Sequence, residues 1–352
     1  MPVYLDRPLA SHELLHTNGS LRRSPVQFAE SNARCLDIGL INNMPDRALH
    51  ATERQFISLL DAAADGIVVR LSLFALPDVP RGDSGRSHLG RFYSSVESLW
   101  NRQLDGLIVT GTEPHTSNLA DEPYWNSLVK VLEWADCSTH STVLSCLSAH
   151  AGLLHFDGIV RRRLAEKCFG VFECTRESQH PLTAGAPSEF PMPQSRWNEI
   201  PENELAARGY LVLSRSRDAG VDILARQRQS LFVFFQGHPE YEADTLFLEY
   251  RRDVGRYLRR ERDICPSVPR GYFDTATAHA LRAFQERVLH DRREEAFADF
   301  PAVYAGKSLE VSWSRAAVSI YGNWLAYLCA QKERRQSRCD IRVNVLGSGV
   351  GL

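Results

Sequence analysis

No two cysteines of the chain stand as C-x-x-C, so structural zinc lacks its usual ligand spacing and no metal is expected. No run approaches the roughly 18 apolar residues that a spanning helix needs. The first twenty residues, MPVYLDRPLASHELLHTNGS, hold no apolar core of signal-peptide length. Charge of one sign is also missing: 41 Lys and Arg against 43 Asp and Glu leave a formal charge of -2, which removes a whole-chain case for nucleic acid or an anionic membrane. Repeats, low-complexity segments and a Walker-type phosphate loop are absent. The expectation that remains is a soluble, cytoplasmic protein. Its eight cysteines are expected as reduced thiols, because 352 residues with 43% hydrophobic content need no disulfide staples.

What is present is alternation. RCLDIGLI (34–41) reads as a buried strand stopped by NNMPD, and ALHATERQFISLLDAA follows at helical spacing. GIVVRLSLFAL reads as a strand, PDVPRGDSGRSHLG as a loop, FYSSVESLWNRQ as a helix and DGLIVTG as a strand. DEPYWNSLVKVLEWADC reads as a helix with Asp121 as N-cap and Pro123 in its first turn, and TVLSC as the next strand. Strands alternating with helices need crossover connections, which predicts an α/β fold: a doubly wound, mostly parallel sheet flanked by helices. GYLVLSRS, GVDILARQ and SLFVFFQGHPEY read as hairpin strands at the sheet edge, followed by a long amphipathic helix at EADTLFLEYRRDVGRYLRRERDI. The expected divisions are an N-terminal extension (1–33), a catalytic α/β domain (34–264), a helical C-terminal extension (265–335) and a tail or late strand (336–352).

In such a sheet, functional groups gather past the carboxyl ends of the strands. Asn42 to Pro45, Gly111 to Thr116 and Cys146 all fall there. A cysteine at a tight strand-to-helix turn has the geometry of a nucleophile elbow, and the next helix's first amides favour its thiolate. The small residues Ser145, Ser148, Ala149 and Gly152 suit the packing, although a lone cysteine ending a strand is also an ordinary buried hydrophobe. His238 and Glu240, two apart in an extended segment, project to one side, so the carboxylate can fix the imidazole's tautomer. A cysteine, a histidine and a carboxylate then form a triad by role. A capped turn explains H-P-E equally well.

GHPEY, the elbow cysteine, DGLIVTG followed by YW, KVLEW, INNMPD and the C-terminal GNWLAY together resemble the homoserine O-acyltransferase (homoserine transsuccinylase) family of methionine biosynthesis, in order from about residue 34 to 331. The resemblance implies a class I glutamine amidotransferase-like fold and transfer of an acyl group from acyl-CoA to the hydroxyl of L-homoserine through a cysteine thioester. It implies Cys146 as nucleophile, His238 as general base and Glu240 as its orienting partner, with Lys167, Ser195 and Arg252 as substrate-binding residues. The chemistry then calls for an oxyanion hole at the amide of Leu147 with one near Gly111 or Thr112. A homodimer and no bound cofactor are implied, succinyl-CoA or acetyl-CoA being a co-substrate.

Two departures stand out. NNMPDR puts Asp46 and Arg47 where the family usually has lysines, and TEPHT puts His115 at the position associated with acyl-donor choice. Histidine can donate a hydrogen bond to a succinyl carboxylate or attract it when protonated, which favours succinyl-CoA over acetyl-CoA. The run Arg161 to Arg163 is a candidate for CoA phosphates or a solvated face. A glutamine amidotransferase-like cysteine hydrolase, a non-catalytic binding protein on the same fold, and serine as acceptor remain open alternatives.

Overall fold

The computed structural model describes residues 3–6, 34–302 and 311–347. Ten strands form one sheet in the order β1-β3-β2-β4-β5-β10-β9-β8-β6-β7. They are β1 (Val3–Leu5), β2 (Cys35–Ile41), β3 (Val68–Phe74), β4 (Gly106–Val109), β5 (Ser141–Ser145), β6 (Arg162–Arg176), β7 (Glu189–Glu199), β8 (Leu211–Ser216), β9 (Gly220–Gln227) and β10 (Leu231–Phe235). The six strands from β1 to β10 in that order pair in parallel, and the remaining four continue the sheet antiparallel. The expected α/β sheet is therefore present, with an antiparallel half attached.

Seven helices complete the fold among the described residues: α1 (Asp46–Ala63), α2 (Asp83–Phe92), α3 (Trp125–Ser138), α4 (Leu147–Asp157), α5 (Thr245–Leu258), α6 (Thr275–His290) and α7 (Ser314–Gly347). Successive strand residues face opposite sides. Ile108 and Val143 join Phe56 and Leu60 of α1 and Leu325 and Leu328 of α7 in one core. Val109 and Leu144 join Val131 of α3 and Ala149 of α4 in the other. A third core ties α5 and α6 to Phe169 and Trp313. α7 crosses so close to the sheet that a Cβ on Gly106 would meet Leu328 and Trp324. The indole of Trp324 donates to Ser141 Oγ at 3.0 Å. Among the described residues no helix is long and apolar enough to cross a membrane.

Several expectations are corrected. Within the N-terminal extension, residues 3–5 form an edge strand on the sheet, while residues 7–33 lie outside the described ones. Residues 336–347 continue α7 as helix, not as a tail or strand; residues 348–352 lie outside the description. The presumed loop around Gly82 contains α2, docked because His88 and Tyr93 both bond the buried carboxylate of Glu53. FYSSVESLWNRQ forms only a 3-10 turn, Val96–Asn101. Asp121 sits in another 3-10 turn capped by Asn118, so α3 starts later, at Trp125, without a side-chain cap. β10 is not an edge strand. It lies between β5 and β9, in register from Leu231 opposite Ser141 to Phe235 opposite Ser145.

Candidate active site

That register decides the site. β5 and β10 end together, so Cys146 and the turn Gln236–His238 leave the sheet side by side. Cys146 adopts φ 53° and ψ -109°, a conformation costly for a residue with a Cβ, and is the N-cap of α4. The turn is held there. Cys146 N donates to Phe235 O at 2.7 Å, and Ser148 Oγ donates to Val109 O at 2.7 Å and Ser145 O at 3.0 Å. Gly152 lets α4 approach Leu144 and Phe234, where a Cβ would collide. Small residues after the cysteine are thus a packing requirement of the elbow.

His238 is buried, and its Nδ1 lies 2.9 Å from Glu240 Oε1. This leaves Nε2 as the ring nitrogen free to act on Cys146. Burial alone pushes the imidazolium's pKa down. The charges of Glu240 and of a Cys146 thiolate, with a hydrogen bond to each, outweigh that and hold it well above the usual histidine range. Tyr241 stacks on the imidazole, ring centroids 4.2 Å apart and planes 18° from parallel. Gly111 faces the start of α4: a Cβ there would come within 2.9 Å of Leu147 N, an amide without an intrahelical partner.

A cavity of about 890 Å³ opens over the sulfur and is lined by Thr112, Lys167, Ser195 and Arg252 together with Cys146 and His238. Lys167, Ser195 and Arg252 are organised by two acidic groups that sequence reasoning missed, Glu249 and Asp253. Ser195 Oγ and Tyr241 OH each donate to Glu249 at 2.5 Å. Lys167 Nζ lies 3.7 Å from Glu249 and 3.2 Å from Asp253, and Arg252 Nε donates to Asp253 at 2.9 Å. Burial raises the pKa of both carboxyls, yet Lys167 and Arg252 hold them below the usual range. The spacing of Glu249, Arg252 and Asp253 on one turn of α5 was the available signal.

The family model described as homoserine O-succinyltransferase matches residues 2–335. The chain belongs to that family. A Methylorubrum extorquens protein named homoserine O-succinyltransferase is 46% identical over 325 residues, covering 92% of this chain and 94% of that protein. One of the same name from Rhodopseudomonas palustris is 44% identical over 309 residues, covering 88% and 92%. Among solved structures, a glutamine amido transferase from Methylobacillus flagellatus is similar with a TM-score of 0.47 and 14% identity, over 84% of this chain and 96% of that one.

The family departures have physical accounts. Asp46 accepts from Gly82 N at 2.8 Å and lies 3.3 Å from Arg81, so it anchors the start of α2 rather than facing substrate. Arg47 joins Arg256 and Arg262 on Glu113 at the cavity rim. Burial raises the Glu113 pKa, but the three guanidinium groups bring it below the usual range. His115, expected to select the donor, is not among the residues lining the cavity; its ring is mostly exposed, 3.6 Å from Glu122. Asn42 and Asn43 are buried and pin their loop to Leu49, Thr110 and Leu76, leaving Met44 and Pro45 to line the cavity. The arginine run is split: Arg161 and Arg163 line the cavity, Arg163 lying over Trp197 at 4.4 Å, whereas Arg162 pairs with Glu199. The no-metal expectation needs one amendment, since His12-Glu13-Leu14-Leu15-His16 has H-E-x-x-H spacing. Those residues lie outside the described ones.

Proposed function

We propose that this member of the homoserine O-succinyltransferase family transfers a succinyl group from succinyl-CoA to L-homoserine through a thioester on Cys146. Family membership makes the chain an acyltransferase acting on homoserine in methionine biosynthesis. The observation that carries the covalent route is the strained Cys146 elbow at the ends of paired strands, beside a histidine that Glu240 orients and whose pKa Cys146 helps to raise.

The thiolate attacks the thioester carbonyl, and the resulting oxyanion is stabilised by Leu147 N–H with an amide at Gly111 or Thr112. The intermediate collapses as the carbon–sulfur bond to CoA breaks. His238, protonated in the resting pair, gives its proton to the departing thiolate, so CoA leaves as the thiol and the imidazole becomes neutral. It then takes the homoserine hydroxyl proton as that oxygen attacks the acyl-enzyme. The second collapse returns the Cys146 thiolate and the His238 imidazolium. One edge of Arg252 is taken by Asp253, and its other edge is suited to the acceptor's carboxylate; Glu249 suits its amino group.

Two-substrate kinetics tests this reading, with succinyl-CoA or acetyl-CoA as donor and homoserine or serine as acceptor. Parallel double-reciprocal lines with succinyl-CoA and homoserine are expected. Intersecting lines, or ammonia release from glutamine without acyl transfer, would overturn it.

A further inference from the structure

Most cations around the cavity are already matched. Arg47, Arg256 and Arg262 converge on Glu113, Arg54 pairs with Glu242, and Lys167 and Arg252 meet Glu249 and Asp253. Arg161 and Arg163 of the lining have no carboxylate within ion-pair distance among the described residues, but of these two Arg163 lies over the Trp197 ring, which leaves Arg161. Its Nη2 donates to the carbonyls of Ser117 at 3.1 Å and Thr116 at 3.4 Å, while its Nη1 is buried with no hydrogen-bond partner among them. Its guanidinium is near enough for its charge to interact with Cys146. Glu122 is also nearby: its Oε1 is engaged by the amides of His115 and Thr116, each at 2.7 Å, while its Oε2 is buried without a hydrogen-bond partner among the described residues, 3.6 Å from the His115 ring and beyond ion-pair distance of Arg161.

The groups beside Arg161 are also incomplete. Tyr124 OH and His150 Nδ1 are buried without partners among the described residues. His150 is one helical turn beyond Cys146 and stays neutral, its pKa pushed down to about 3 by burial and then by Arg196 and Arg161. A half-buried guanidinium whose buried Nη1 has no partner is costly, and a carboxylate is the ligand that completes it through charge-assisted hydrogen bonds.

We propose that Arg161 receives the terminal carboxylate of the acyl group held on Cys146, and thereby selects dicarboxylic over monocarboxylic thioesters. This rests on the thioester reading above. It also relocates the expected selectivity: the loop after His115 acts through its carbonyls at Thr116 and Ser117, which aim the guanidinium.

The test compares succinyl-CoA with butyryl-CoA, in which a methyl replaces the carboxylate, in the full-length protein. In Arg161→Gln, the ratio of kcat/KM for succinyl-CoA to that for butyryl-CoA is expected to fall about ten- to a hundredfold. Arg161→Lys is expected to restore part of it. The ratio is independent of how much of a variant folds, so an unchanged ratio in Arg161→Gln overturns the proposal. Absence of an acyl adduct on Cys146 in the wild-type protein would instead overturn the thioester reading, and the steady-state ratio would still report on Arg161.

Discussion

Tyr241 stacks on the His238 imidazole while its hydroxyl donates to Glu249, so one side chain joins the base to the acidic group beside Ser195 and Lys167. Tyr241→Phe keeps the stack and removes that bond. We expect kcat/KM for homoserine to fall about tenfold, the scale of a hydrogen bond to a charged group. Acylation of Cys146 by the donor should change much less. Equal loss in both half-reactions, measured by single-turnover kinetics, would refute the division of labour.

Glu240 sets the protonation of His238. Its charge and hydrogen bond help raise the imidazolium pKa against the opposing effect of burial. Because the folded value is raised, this pairing stabilises the protein fully below the ordinary histidine value of about 6.5 and fades as pH rises through the folded value. Glu240→Gln should move the His238 titration, followed by NMR of the ring, to lower pH. No movement would show that Glu240 does not govern the base.

How much of this was legible follows from local physics. β5, Cys146 and α4 could be read because an apolar run met small residues at a turn. β6 and β7, which carry Lys167 and Ser195, were missed as strands. β6 opens with charged residues and has a register shift between Arg163 and Cys168, and β7 contains Pro191 and Pro193. Gly170, at φ 140°, lies against the Arg270 backbone where no Cβ fits. That tertiary contact leaves no periodic trace. Glu249 and Asp253 looked like ordinary charges on an amphipathic helix, since a helical pattern does not reveal which lysine will fold against it.

Arg252 is expected to act in the second half-reaction. Arg252→Ala should raise KM for homoserine about ten- to a hundredfold, consistent with loss of charge-assisted bonds. Thioester formation on Cys146 should proceed. A variant whose defect lies wholly in reaction with the acyl donor would contradict this placement.

The C-terminal helix should matter to stability as well. Trp324 is nearly fully buried, packs near Gly106 and bonds Ser141. Trp324→Ala should cost about 3–5 kcal/mol in urea denaturation. A loss under about 1 kcal/mol would mean that α7 is not integral to the core.

The most direct measurement is intact-mass and peptide-mapping spectrometry of the protein mixed with succinyl-CoA in the absence of homoserine. We predict one succinyl group per chain, located on Cys146, discharged when homoserine is added and absent in Cys146→Ala. Formation of O-succinylhomoserine by Cys146→Ala at the wild-type rate, with no adduct in either protein, would contradict the account.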